Sequence, residues 1–151
     1  MRLTVTELPF AEDVNYWKTS KSSPDIWMER CQRQIEGLGG EVLGEGFGRE
    51  PQSGRAGYML AFQIGDEQYK VIWPVLPSKS GNDRAARVQA TTLLYHDIKA
   101  KAISAAVLGA RAAFFTYLAL PDGRVAADIA APELVKLAPA LLAPIIDGRE
   151  I

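Results

Sequence analysis

Tyr58-Met59-Leu60-Ala61-Phe62-Gln63-Ile64-Gly65-Asp66-Glu67-Gln68-Tyr69-Lys70-Val71-Ile72-Trp73-Pro74-Val75 is the stretch that decides the fold. Tyr58, Leu60, Phe62 and Ile64 alternate with Met59, Ala61 and Gln63, the period-two pattern of a half-buried strand. Gly65-Asp66-Glu67 reverses the chain, and Tyr69, Val71, Trp73 and Val75 then alternate with Gln68, Lys70 and Ile72. The two runs are expected to pair as an antiparallel hairpin with its aromatic face on a helix. Pro74 and Pro77 end the pairing, because neither carries the N–H that a ladder needs.

Downstream, Ser78 to Asp83 reads as a polar loop with Asp83 as the helix N-cap. From Arg84 to about Leu120 there is no proline and much alanine, which predicts one long helix or two collinear helices meeting near Gly109. Leu120-Pro121-Asp122-Gly123 is a turn, and the apolar tail Ala131 to Ile146 is helix-prone although Pro139 and Pro144 cut it. Upstream, Pro51-Gln52-Ser53-Gly54 is a turn cluster, and Glu41 to Glu50 is a strand weakened or bulged by its glycines. Ser23 as N-cap, Pro24 at the first helical position and Asp25 in the first turn start a helix that Gly37 stops, with Ile26, Cys31, Ile35 and Leu38 as its apolar stripe. Before it come a short strand, Leu3 to Leu8, and a polar segment, Tyr16 to Ser23, expected to be flexible unless something docks on it. The expected class is α+β: a helix, a three-stranded antiparallel sheet, a long helix and a short C-terminal helix. An arm over residues 1–23, a core over 24–124 and a helical tail over 125–151 complete the plan.

A chain of 151 residues with 48% apolar content can bury the core of one domain. Its longest apolar runs fall short of a bilayer span and its first residues lack a signal-peptide h-region, so no membrane and a cytoplasmic location are expected. Cys31 is the only cysteine, which excludes an internal disulfide and a thiolate zinc cluster and suits a buried helix position. The net charge of −1 conceals an uneven distribution: −4 over residues 1–69, +5 over 70–111 and −2 over 112–151. The centre of the chain is cationic and its flanks are not.

No catalytic set stands out. His96 beside Asp97 is the only histidine and has no identifiable Ser or Cys partner, so a structural role is the simpler account. The glycines from Gly37 to Gly48 lie at a helix end and inside a strand, without Walker spacing. Carboxylates are scattered, without the pairing that metal-dependent nucleases need. The chain is therefore expected to be a binding protein, not an enzyme, with no cofactor and no metal. Tyr58, Phe62, Tyr69 and Trp73 are of a kind that stacks on bases, but they fall on the face assigned to the core. Lys18 and Lys21 beside Tyr16 and Trp17 suit either a basic, aromatic arm or a solvated linker. The basic set Lys70, Lys79, Arg84, Arg87, Lys99, Lys101 and Arg111 shares its segment with only Asp83 and Asp97, so most of these cations lack local partners that a phosphate backbone would supply. On an ideal helix Arg84, Arg87, Thr91, Thr92, Tyr95 and Lys99 fall within about 140° of arc. The rest of that helix is so apolar that neighbouring subunits are expected to cover part of it.

With these residues in view, the chain resembles the Sak-type phage single-strand annealing proteins, relatives of the eukaryotic annealing mediator of homologous recombination. The likeness lies in Tyr58-Met59-Leu60-Ala61-Phe62, the Gly65 reversal, Trp73-Pro74-Val75 followed by Ser78-Lys79, Asp97-Ile98 with Lys99, and Phe114 to Asp122. It spans roughly residues 24–123. The loop Ser78 to Asp83 is shorter and less basic than is usual in that family, and the family's glycine-rich helix end is reduced here to Gly109 with Ala110. The resemblance implies a β-β-β-α core, a ring or helical homo-oligomer, and a cationic groove that holds single-stranded DNA by its phosphates for ATP-independent annealing in recombination and repair. The residues expected to touch the backbone are Lys79, Arg84, Arg87 and Lys99, with Lys70 and Arg55 secondary. Whether a helper protein engages the tail from Ala131 to Ile151 is left open by the sequence. Two other readings compete. One is a double-stranded-RNA-binding domain, which has the same element order but a lysine cluster opening a shorter last helix. The other is a protein-interaction or inhibitor module that binds no nucleic acid.

Overall fold

The computed structural model describes residues 8–126, and they form the α+β arrangement the sequence predicts. Helix α1 (Pro24–Gly37) leads into strands β1 (Glu41–Arg49), β2 (Ala56–Ile64) and β3 (Glu67–Pro74), followed by the long helix α2 (Asp83–Leu108) and the short helix α3 (Ala110–Ala113). The strands pair antiparallel in the order β1-β2-β3. Residues 3–7 of the expected first strand, and the expected tail helix over 131–146, lie outside the described residues.

Register explains the core. Tyr58, Leu60 and Phe62 of β2 stand opposite Trp73, Val71 and Tyr69 of β3, so the apolar row of the hairpin lies on one face. Met28, Cys31 and Ile35 of α1 and Ala90, Leu94 and Ile98 of α2 pack with that row. The buried stripe of α1 excludes Ile26, which is 44% exposed. On an ideal helix Ile26 points about 180° away from the line of Met28, Cys31 and Ile35. The Ser23 hydroxyl accepts the Ile26 N–H at 3.3 Å, the N-cap expected there. At the other end Gly39, at φ +82°, lets the N–H groups of Gly39 and Gly40 return to the carbonyls of Glu36 and Ile35 at 2.9 and 3.0 Å, a Schellman closure. The weakness expected of β1 is visible as a register shift between Val42 and Gly44.

Helix α2 differs from expectation in three ways. Its cap is Asn82, whose Oδ1 accepts the Ala85 N–H at 3.0 Å, so Asp83 is the first helical residue. Gly109, at φ +93°, breaks the axis after Leu108, and the chain returns instead of running on collinearly. That return carries Phe114 into the core, its ring 5.3 Å from Phe62 and 5.8 Å from Tyr69. Beyond it Leu118 bridges Tyr69, and the Ala119 N–H donates to Gln68 O at 2.9 Å, covering part of the β3 edge. Thirdly, the polar arc of α2 divides: Thr91 and Thr92 are 0% and 2% exposed. Their hydroxyls donate to the carbonyls of Arg87 and Val88 at 2.7–3.2 Å, which lets a polar side chain enter the core without an unsatisfied group.

The segment before α1 is docked, where sequence pointed to a flexible arm. Ala11 is fully buried with Leu76 and Ala86, and Leu8, Val14 and Trp17 pack around them. The buried Gln89 side chain of α2 presents its Nε2 to the carbonyls of Ala11, Val14 and Asn15 at 2.8–3.1 Å. Tyr16 stacks on His96 with ring centroids 4.6 Å apart, and the Trp27 indole donates to Ser20 Oγ at 3.0 Å. Tyr16 and Lys18 hold φ of +70° and +56°, a left-handed conformation that non-glycine residues keep only when the surroundings fix it.

Candidate nucleic-acid interface

Antiparallel pairing of β1 with β2 sets Arg49 opposite Ala56 and Phe47 opposite Tyr58, so the residues next to the β1–β2 turn meet the first turns of α2. Between them lies a groove of ≈310 Å³ lined by Arg49, Arg55 and Arg87, with Phe47, Val75, Pro77 and Asp83 among its other walls. Arg87 is held in place: its Nε donates to the Tyr58 hydroxyl at 2.8 Å, and its guanidinium lies 3.9 Å from the Phe47 ring centroid. Fixing the fork this way lowers the entropy lost when its remaining N–H groups bind an anion. Arg49 donates to Gly54 O at 2.7 Å across the turn. Two carboxylates are near. Asp83 lines the groove, and Glu50 sits at the β1–β2 turn, its carboxyl held below the usual range by the Ser53 hydrogen bonds and by Arg55.

A second depression, ≈290 Å³, lies beside the same helix end and is lined by Lys18, Lys21 and Arg84 together with Ser20, Ser22 and Asn82. No carboxylate lines it among the described residues. The basic, aromatic segment thus meets Arg84 because the arm is docked.

The six residues expected to touch the backbone do not share a face. Arg55 and Arg87 meet in the first groove and Arg84 lines the second. Lys79 lies in the loop between hairpin and helix, but its ammonium pairs with Asp13 at 3.0 Å. Lys70 alternates with the buried Tyr69 and Val71, which puts it on the sheet face away from the helices. Lys99 is exposed on α2, about 18 Å along the helix from Arg87. The case that the central cations lack partners also changes: Lys79 and Arg111 find carboxylates in distant segments, and Lys101 finds one a turn away on its own helix. Arg111 binds Glu67 at 2.6 Å, and Lys101 binds Asp97 at 3.2 Å. None of the ion pairs among the described residues includes Arg49, Arg55, Arg84, Arg87, Lys70 or Lys99.

Arg49 is the residue that sequence reasoning passed over. It stands at the end of a strand obscured by glycines, in a segment whose net charge is negative. Its signal is its spacing from Arg55 across a turn, which places both at one corner of the sheet.

His96 is exposed against Tyr16 and Trp27, while Asp97 accepts hydrogen bonds from Tyr117 and Lys101, so the two adjacent residues serve different contacts. Burial and the Asp97 bond push the Tyr117 phenol far above its ordinary pKa. Among the described residues no group of His, Cys, Asp and Glu is placed to hold a metal ion, and no helix is long and apolar enough to cross a membrane.

No family model, curated protein or solved structure matches the chain.

Proposed function

We propose that this protein binds single-stranded DNA by its phosphates and anneals complementary strands without ATP, as its resemblance to the Sak-type annealing proteins implies. One observation carries the reading: Arg49, Arg55 and Arg87 converge in one open groove whose lining, among the described residues, includes a single carboxylate, Asp83. Annealing needs strands held extended with base edges free, so contacts belong on phosphate and sugar. Arginine forks supply such contacts without sequence preference, and counterion release makes them salt-dependent. Phe47, 39% exposed at the groove wall with Arg87 over its ring, adds apolar surface beside the guanidinium groups.

A homo-oligomer, ring or helical filament, belongs to the same proposal. Ile103, Val107 and Leu108 at the end of α2 are 61%, 81% and 67% exposed, an apolar surface that a neighbouring subunit would cover. Repeating a modest groove along an oligomer multiplies its affinity.

The test is fluorescence anisotropy with a labelled single-stranded DNA 30-mer, a DNA duplex and an RNA duplex, each without nucleotide. The reading expects tightest binding to the single strand, weakening steeply with salt. Preference for duplex RNA would favour the double-stranded-RNA-binding domain. No binding to any of the three at low salt would favour a protein-interaction module docking through the α2 end.

A further inference from the structure

The loop that joins the hairpin to α2 encloses an anion. Glu12 Oε1 accepts the Lys79 N–H at 2.8 Å, and Oε2 accepts the Ser80 N–H at 3.0 Å and the hydroxyls of Ser78 and Ser80 at 2.7 and 2.8 Å. Ser78 Oγ in turn accepts the Asn82 N–H at 3.1 Å, so its proton is directed at Glu12. The Lys79 ammonium, 3.0 Å from Asp13, completes the set. Two adjacent backbone N–H groups and two hydroxyls around one pair of oxygens, with an ammonium on the neighbouring carboxylate, are the donors with which proteins hold phosphate. These N–H groups belong to the loop, not to the helix end. Burial works against the Glu12 charge, but the bonds from Ser78, Lys79 and Ser80 more than offset it and hold the carboxyl far below its usual range.

The position of this nest gives it meaning. Pro77 and Asp83 line the arginine groove, while Asn82 and Arg84 line the lysine depression, so the loop lies between the two cationic surfaces. A nucleic-acid strand passing from one to the other would cross this loop, whose donors Glu12 and Asp13 hold.

We infer that the Ser78–Ser80 loop is a phosphate-binding nest which the arm keeps occupied with Glu12 and Asp13, so that the arm competes with a phosphate group for the site. The inference rests on the proposed nucleic-acid function for its biological ligand, and on the nest's own donors for its chemistry. Displacement need not unfold the protein. Ala11, Trp17 and the Gln89 amide anchor the arm through contacts that do not involve either carboxylate. The same phosphate chemistry has two sources, an internal phosphodiester or a free or terminal phosphate.

The experiment compares the full chain with Glu12→Ala/Asp13→Ala, and with Glu12→Gln/Asp13→Asn, which keeps acceptors in the nest if the alanine variant folds poorly. A 5′-hydroxyl single-stranded DNA 30-mer probes the phosphodiester, and inorganic phosphate, followed by the amide NMR shifts of Lys79 and Ser80, probes the free anion. The vacated nest is expected to bind the DNA several-fold tighter, with a log–log salt slope steeper by about 0.7 as Lys79 is released. Phosphate should shift both amides saturably in the variants and only weakly in the wild type. If wild type and variants bind DNA alike and phosphate moves neither amide, the nest is a structural tie and the inference is overturned while the annealing reading stands. If no form binds DNA but phosphate saturates the vacated nest, the anion site stands with a free phosphate as ligand and the nucleic-acid reading falls. Absence of both responses overturns both.

Discussion

Replacing Arg49 and Arg87 together with alanine removes two of the three guanidinium groups from the groove beside α2. For single strands each phosphate contact contributes about 0.7 to the slope of log K against log salt, so the slope should flatten by about 1.4. Between 50 and 200 mM salt, a fourfold change, the ratio of wild-type to variant affinity should then shrink by about sevenfold. The cost to the fold is separable. Arg87 gives up its bond to the buried Tyr58 hydroxyl and its stacking on Phe47, together about 1–2 kcal/mol, a shift of several degrees in Tm. Arg49 gives up only its bond to the exposed turn at Gly54. Anisotropy titrations at 25 °C across five salt concentrations, on protein whose circular dichroism matches wild type, provide the readout. An unchanged slope with unchanged affinity would remove both residues from the interface. An equal loss of affinity at every salt would mean that their role is structural.

Other consequences are open to measurement. Phe62→Ala, at a fully buried position between Tyr69 and Phe114, should cost about 3–5 kcal/mol in urea denaturation, and a loss under 1 kcal/mol would contradict the core described. Gly40→Ala should destabilise by about 1–3 kcal/mol, since its Cβ would meet Gln63 O, Ile35 and Ile64 at 2.9 Å, whereas Gly46→Ala, with nothing within 4 Å, should be neutral. Equal costs at the two positions would refute the register. Glu67 is held below its ordinary value of 4.5 by the Arg111 hydrogen bond, so its stabilisation is complete above that value and is lost as pH falls through the depressed one. Arg111→Ala should therefore lower stability at neutral pH and flatten the acid limb, and an identical acid limb would show that the pair contributes nothing. Cys31 is fully buried and its thiol is pushed up to about 12 by burial, so disulfide reagents should react only as fast as the chain opens.

The hairpin was legible because strict alternation from Tyr58 to Trp73 leaves one face for the core, and a one-residue slip would expose every aromatic. The α1 start was equally legible, since Ser23 and Pro24 act through the local backbone. Long-range contacts were not. The arm reads as a linker because its anchors are backbone carbonyls facing Gln89 and single side chains, Ala11 and Trp17, in pockets formed by Leu76 and Ala86. Helical angle placed Thr91 and Thr92 with the arginines, yet a hydroxyl that can bond its own helix is free to enter the core. For the site, counting charge along the chain found Arg84 and Arg87, while Arg55 entered only as a secondary backbone contact. It missed that Asp13 and Glu67 reach Lys79 and Arg111 across 66 and 44 residues. It also missed Arg49, which joins the groove only through strand pairing.

Mixing two complementary labelled DNA oligonucleotides with and without the protein, in the absence of ATP, measures strand annealing itself. Energy transfer between the labels reports the annealing rate. Acceleration at low salt is expected, fading as salt rises and reduced in the Arg49→Ala/Arg87→Ala variant. An annealing rate that folded protein leaves unchanged at every salt concentration would contradict the proposed function.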